Sequence, residues 1–78
     1  MKITVKDIEE HFNKHGETSY FTFKSEYHFN HVSTCIIHRD NNGNLYGYDK
    51  ISGDLVPVNE GNIKGILSLG YYYNHEVK

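Results

Sequence analysis

Asp40, Asn42 and Asn44 stand at alternate positions, the spacing at which side-chain oxygens begin to ring a calcium ion in a helix-loop-helix site. The continuation breaks the pattern. Leu45 occupies the position that such a loop reserves for Gly, Ile51 the position of its bidentate acid, and the flanks read as strands. The segment is therefore expected to be a hairpin turn. Six His residues offer a second chemistry: His11 and His15 are four apart on a predicted helix, and His28, His31, Cys35 and His38 crowd two predicted strands. A zinc site would need three or four of them to converge, and no ligand motif says that they do. Cys35 would need a nearby base and an electropositive setting to act as a nucleophile. Between Thr34 and Ile36 it reads as a small buried side chain. No Gly-rich phosphate loop and no Gly-x-Ser-x-Gly elbow occurs. The sequence thus predicts no catalytic residues, no metal and no cofactor.

The residues left with chemistry to offer are Tyr46, Tyr48, Tyr71, Tyr72 and Tyr73. Tyr buries a rigid ring while keeping a polar tip, which favours it at protein interfaces. Three consecutive Tyr residues cannot all point inward from a helix or a strand, so at least one ring is expected to be exposed. These five are the candidate partner-binding residues.

The elements that position them are organised around Ser19 to Phe29. There Phe21, Phe23, Tyr27 and Phe29 fall on odd positions and Tyr20, Thr22, Lys24, Glu26 and His28 on even ones, a strand with one dry face. Fully extended it would span about 36 Å, so a bend near Ser25 is expected. Before it, residues 3 to 16 read as a helix: Thr4 caps it with Asp7 three residues on, Ile3 can staple Ile8, Gly16 ends it, and Val5, Ile8, Phe12 and His15 form its stripe. After it, His31 to Arg39 reads as a central strand covered on both sides. Asp40 to Gly43 then forms either a type I turn with a Gly bulge, which sets Ile36 opposite Tyr48, or a two-residue Asn42-Gly43 turn, which sets Ile37 there. Leu45 to Ile51 is a third strand. Leu55 to Val58 is a short fourth, confined to an edge by Pro57. Asn59 can cap a second helix over Glu60 to Leu69 with Ile63, Ile66 and Leu67 as its stripe and Gly70 as its end, although Gly61 and Gly65 weaken it. Residues 71 to 77 read as a last edge strand or as an extension of that helix.

The 78 residues make one domain, 1–78, of α+β class: an N-terminal helix, an antiparallel meander of about four strands, a second helix and a C-terminal strand, with the helices on one face of the sheet. Net charge is −2 with His neutral, neither the basic field of a nucleic-acid binder nor a dense acidic one. The single Cys and the lack of an apolar run of export-signal or membrane length predict a cytoplasmic setting, that of the bacterial host if the chain is phage-encoded. Lys outnumbers Arg seven to one, and Asn, Ile and Tyr are plentiful, which points to an AT-rich genome such as those of low-GC bacteria and their phages. The expectation is a non-enzymatic protein-binding domain, a phage or mobile-element accessory protein that binds and inhibits a host protein. The alternatives are a bacterial accessory protein with a His-based metal site and, disfavoured by charge, a nucleic-acid-binding domain.

Overall fold

The computed structural model describes residues 2–24 and 31–72. It is an α+β fold: one helix, α1 (Val5–His15), and five antiparallel strands, β1 (Ser19–Phe23), β2 (Ser33–Arg39), β3 (Leu45–Asp49), β4 (Leu55–Pro57) and β5 (Ile66–Tyr71), in the order β4-β3-β2-β1-β5. The expected Tyr27 and Phe29 end of the first strand, and its bend at Ser25, lie outside the described residues.

The helix starts where its cap dictates. Thr4 is extended (φ −108°, ψ 166°), its Oγ1 accepts the Asp7 N–H at 3.1 Å, and Asp7 Oδ2 accepts the Thr4 N–H at 2.9 Å. This reciprocal box satisfies two donors that the first turn would leave unpaired. Thr4→Ala is expected to cost about 1 kcal/mol, read as a lower urea midpoint; an unchanged midpoint would contradict the cap. At the other end Gly16 takes φ 62°, and its N–H returns to the Phe12 carbonyl. The hydroxyls of Thr18 and Ser19 donate to the carbonyls of His15 and Gly16 at 2.8 and 2.6 Å. The chain therefore turns from helix into β1 with its last carbonyls paired, which is what allows Ser19 to be fully buried.

Strand pairing sorts the residues onto two faces. On one, Phe21 lies beside Cys35 and Leu69, Cys35 beside Asp49, Ile37 beside Gly47, and Gly47 beside Val56. Helix α1 covers this face. Ile8, Phe21, Cys35 and Ile37 are fully buried there with Leu45 and Ile66, and Phe12 and Phe23 pack against them. Arg39 pins the helix from the sheet side: its guanidinium meets Glu9 at 3.1 Å and lies 5.3 Å from the Phe12 ring centroid. Both partners are over a third exposed, so the pair orients the helix more than it stabilises it.

The Asp40 to Asn44 turn takes the bulged form. Gly43 N–H donates to the Asp40 carbonyl at 3.0 Å, Asp40 N–H to the Asn44 carbonyl at 2.9 Å, and Gly43 has φ 87°. Ile36 therefore stands opposite Tyr48, and His38 opposite Tyr46. The oxygen spacing belongs to the turn itself, since Asp40 Oδ1 accepts the N–H groups of Asn42 and Asn44, each at 2.9 Å.

Two expectations are corrected. The second helix is absent among the described residues: Asn59 does cap, its Oδ1 accepting the Asn62 N–H at 2.8 Å, but only a 3₁₀ turn follows (Ile63–Gly65) before the chain extends into β5 at Ile66. The reason is non-local. The Phe23 ring sits against Gly65, where a Cβ would fall 2.7 Å from Cε1, and Lys24 N–H bonds the Gly65 carbonyl at 2.8 Å. The unpaired edge of β1 draws Ile66 to Tyr71 into the sheet, with a bulge at Leu67 where β1 passes from Thr22 to Phe23. The second correction concerns β2, which is central but covered on one side only. Thr34 is exposed and Ile36 half-buried, because α1, the one α-helix among the described residues, lies over the opposite face with Cys35 and Ile37.

Candidate functional site

The face of the sheet turned away from α1 carries an unbroken band of side chains across the strands. Tyr20 pairs with Ile36, Ile36 with Tyr48, and Tyr48 with Leu55; beside this row His38 pairs with Tyr46, and Tyr46 with Pro57. At the β5 end, Gly70 lies opposite Tyr20 and lets the Tyr20 ring lie over the backbone, since a Cβ there would come within 2.6 Å of Cζ. The Tyr72 ring then meets the Tyr20 ring, with centroids 4.8 Å apart. His38 lies 5.5 Å from the Tyr46 ring and 6.4 Å from the Tyr48 ring, so the band is laterally packed and its rings are held in place before any partner arrives.

Charge is distributed unevenly between the two faces. The five strands contain one acid, Asp49, and one permanent cation, Arg39, and both lie on the helix side, in register with Cys35 and Leu45. His38 is thus the sole titratable cation that the strands place on the open face. Its remaining groups include Tyr rings, Ile36, Leu55, Pro57, the exposed Thr34, and the Thr22 and Ser68 hydroxyls, which bond each other at 2.8 Å.

The structure divides the five candidate Tyr residues. Tyr46, Tyr48 and Tyr72 share the open face. Tyr71 points the other way and stacks on His15, with centroids 4.0 Å apart and planes 8° apart. Tyr73 lies outside the described residues. Tyr20, Ile36 and Leu55 complete the band without having been singled out, together with His38, which the sequence offered only as a metal ligand. Their signal was present in the even positions of the first strand, opposite Phe21, and in the bulged turn register.

The histidines separate in the same way. His11 and His15 approach to 4.6 Å between ring centroids, but His11 Nε2 lies 2.7 Å from the Gly70 carbonyl, to which it must donate, and His15 is stacked on Tyr71. Burial, then the charges of His11 and Lys14, hold the His15 pKa below the usual imidazole value. His38 is on the opposite side of the sheet. Among the described residues no group of three His, Cys, Asp or Glu converges as a metal site would require.

A cleft of about 210 Å³ at the β2–β3 end brings together Cys35, His31, Asp49 and Asp54, the nearest approach to a nucleophile and base. Its electrostatics run the wrong way for thiolate chemistry. Burial first, then the carboxylates of Asp49 and Asp54, push the Cys35 thiol up to about 11. Burial also works against the ionised form of Asp49, but hydrogen bonds from the Ile51 N–H, the Ser33 hydroxyl and Ser52 outweigh it and leave the carboxyl below its ordinary pKa. Asp49 therefore acts as the clasp of the Lys50 to Asp54 turn.

No protein-family model, curated protein or solved structure matches this chain. Among the described residues no helix is long and apolar enough to cross a membrane.

Proposed function

We propose that the chain is a non-enzymatic protein-binding domain whose open sheet face, centred on Tyr46 and Tyr48, seats a partner protein. One observation carries this reading. Among the described residues no element lies over the side of the central strands turned away from α1, and that side holds laterally packed Tyr rings with almost no strand-borne charge. Rigid aromatic rings surrounded by neutral groups supply most of the energy in protein interfaces, whereas charge is depleted at interface centres. Nucleic acid could also stack on such rings, but the strands bring no Lys or Arg to this face to meet the phosphates. The AT-rich residue usage supports a phage or mobile-element origin, with a protein of the bacterial host as the partner to be occupied and inhibited.

The test is capture from a bacterial lysate by the parent chain and by single variants, beside thermal melting of each. Tyr46→Ala and Tyr48→Ala are expected to weaken capture of the retained protein by 2 kcal/mol or more each, about thirtyfold, while lowering the melting temperature by no more than several degrees. Tyr71→Ala, on the helix side, keeps the backbone groups of β5 and should weaken capture far less than either. Capture lost with Tyr71→Ala and kept with the other two would place the binding surface elsewhere. Nuclease-sensitive retention of RNA or DNA in place of a protein would replace the reading.

A further inference from the structure

We propose that the outer edge of β5, with the groove between it and α1, is a two-fold interface through which two copies of this chain join their sheets into one. The two ends of the sheet are finished differently. At β4 the strand has three residues, Pro57 lacks an N–H, and the Pro57 carbonyl is taken by Asn62 Nδ2 at 2.8 Å. That edge is closed to pairing. At β5 the strand has six residues, Ile-Leu-Ser-Leu-Gly-Tyr, with neither proline nor charge. Tyr72 N–H donates to the Thr18 carbonyl, and residues of an antiparallel strand alternate in the direction of their polar groups. Ser68 and Gly70 therefore bond β1, while Leu69 and Tyr71 turn N–H and C=O outward. Among the described residues no backbone group meets them.

A strand edge alone would accept any extended segment; the groove beside it selects a second copy. Helix α1 runs in the same direction as β5, with Ile3 and Asp7 lining the groove with Leu69, His11 on the Gly70 carbonyl, and His15 on Tyr71. Along this wall Asp7 and Glu10 lie on the N-terminal side of the His11–Gly70 level or at it, with Lys2 beyond them at the far end, and Lys14 lies on the other side. A two-fold axis through Gly70 reverses that order, setting Lys14 of each copy across from Asp7 and Glu10 of the other. The same axis pairs Leu69 of each copy with Tyr71 of the other in two hydrogen-bonded pairs, and sets Gly70 against Gly70 at the intervening close position, where neither has a side chain to clash. Two five-stranded sheets then form a continuous one, with both helices on one side and both Tyr-bearing faces on the other. The dimer would present two copies of the open face side by side, so a partner with repeated or symmetric structure would gain avidity.

The proposal is tested by sedimentation equilibrium of the full chain from micromolar to millimolar concentration, with circular dichroism on each variant. The parent should show twice the chain mass. Lys14→Glu, an exposed change, should weaken association roughly tenfold at low salt by setting like charges across the axis, and Glu10→Lys with Lys14→Glu in one chain should restore it. Tyr71→Pro removes an outward donor used twice in the dimer and should shift the chain to single mass. If that variant fails to fold, the charge swap still decides. Single-chain mass at every concentration overturns the proposal. So does a dimer that Lys14→Glu and Tyr71→Pro leave intact, or one that Lys14→Glu weakens and the double swap does not restore.

Discussion

Phe21→Ala is expected to leave most of the chain unfolded at room temperature. Phe21 is fully buried and in register with Cys35 and Leu69, and its ring lies against Gly47 two strands away. Truncation removes the largest side chain from the middle of the core and leaves a void bounded by three strands and α1, where backbone cannot collapse cheaply. The cost is about 3 to 5 kcal/mol. A domain of this length has about 4 to 12 kcal/mol in total, so the loss consumes much of the margin. Phe23→Ala should cost less, because Phe23 is only partly buried. Urea unfolding followed by near-ultraviolet circular dichroism measures both, and a Phe21→Ala variant as stable as Phe23→Ala would show that the core is centred elsewhere.

Gly47→Ala is the second large effect, and it arises from overfilling. A Cβ at Gly47 would lie 2.7 Å from both Phe21 Cε2 and the Cys35 Cβ, inside any real contact, and each of these groups is held by its own strand. Either the Phe21 ring leaves its rotamer or β2 and β3 move apart, at a cost of about 1 to 3 kcal/mol. Because the Phe21 ring makes the closest of these contacts, Gly47→Ala combined with Phe21→Leu should destabilise by less than the sum of the two single changes, the clash with the Cys35 Cβ remaining. Strict additivity in urea midpoints would mean that the ring does not lie over Gly47.

Local signals carried well from sequence to structure where the chain satisfies its own backbone. Thr4 and Asp7 announced the helix start, Gly16 its end, Gly43 the hairpin and Pro57 the edge, since each acts within four residues. The odd-position rule placed Phe21 in the core for the same reason, as one strand fixes its own two faces. What failed was decided across the sheet. Ile63, Ile66 and Leu67 have helical spacing, and Asn59 does supply a cap, but the free edge of β1 and the Phe23 ring over Gly65 turn the segment into β5. The even positions of β1 stay on the wet side, as its alternation required, but the cover expected on both sides of β2 is not found among the described residues, so Ile36 and His38 join Tyr20 on an open face. Of the Tyr run, strand alternation correctly required Tyr71 and Tyr72 to part company, but the stacking partner of each, His15 and Tyr20, lies in an element distant in sequence.

The binding role of the open face is tested most directly by an amide and aromatic NMR titration of the labelled chain with the protein that it retains from the lysate. Signals of Tyr20, Ile36, His38, Tyr46 and Tyr48 are expected to shift or broaden on addition, while those of Val5 to His15 on the covered face stay in place. Changes confined to α1, with the five open-face residues unmoved, would contradict that role.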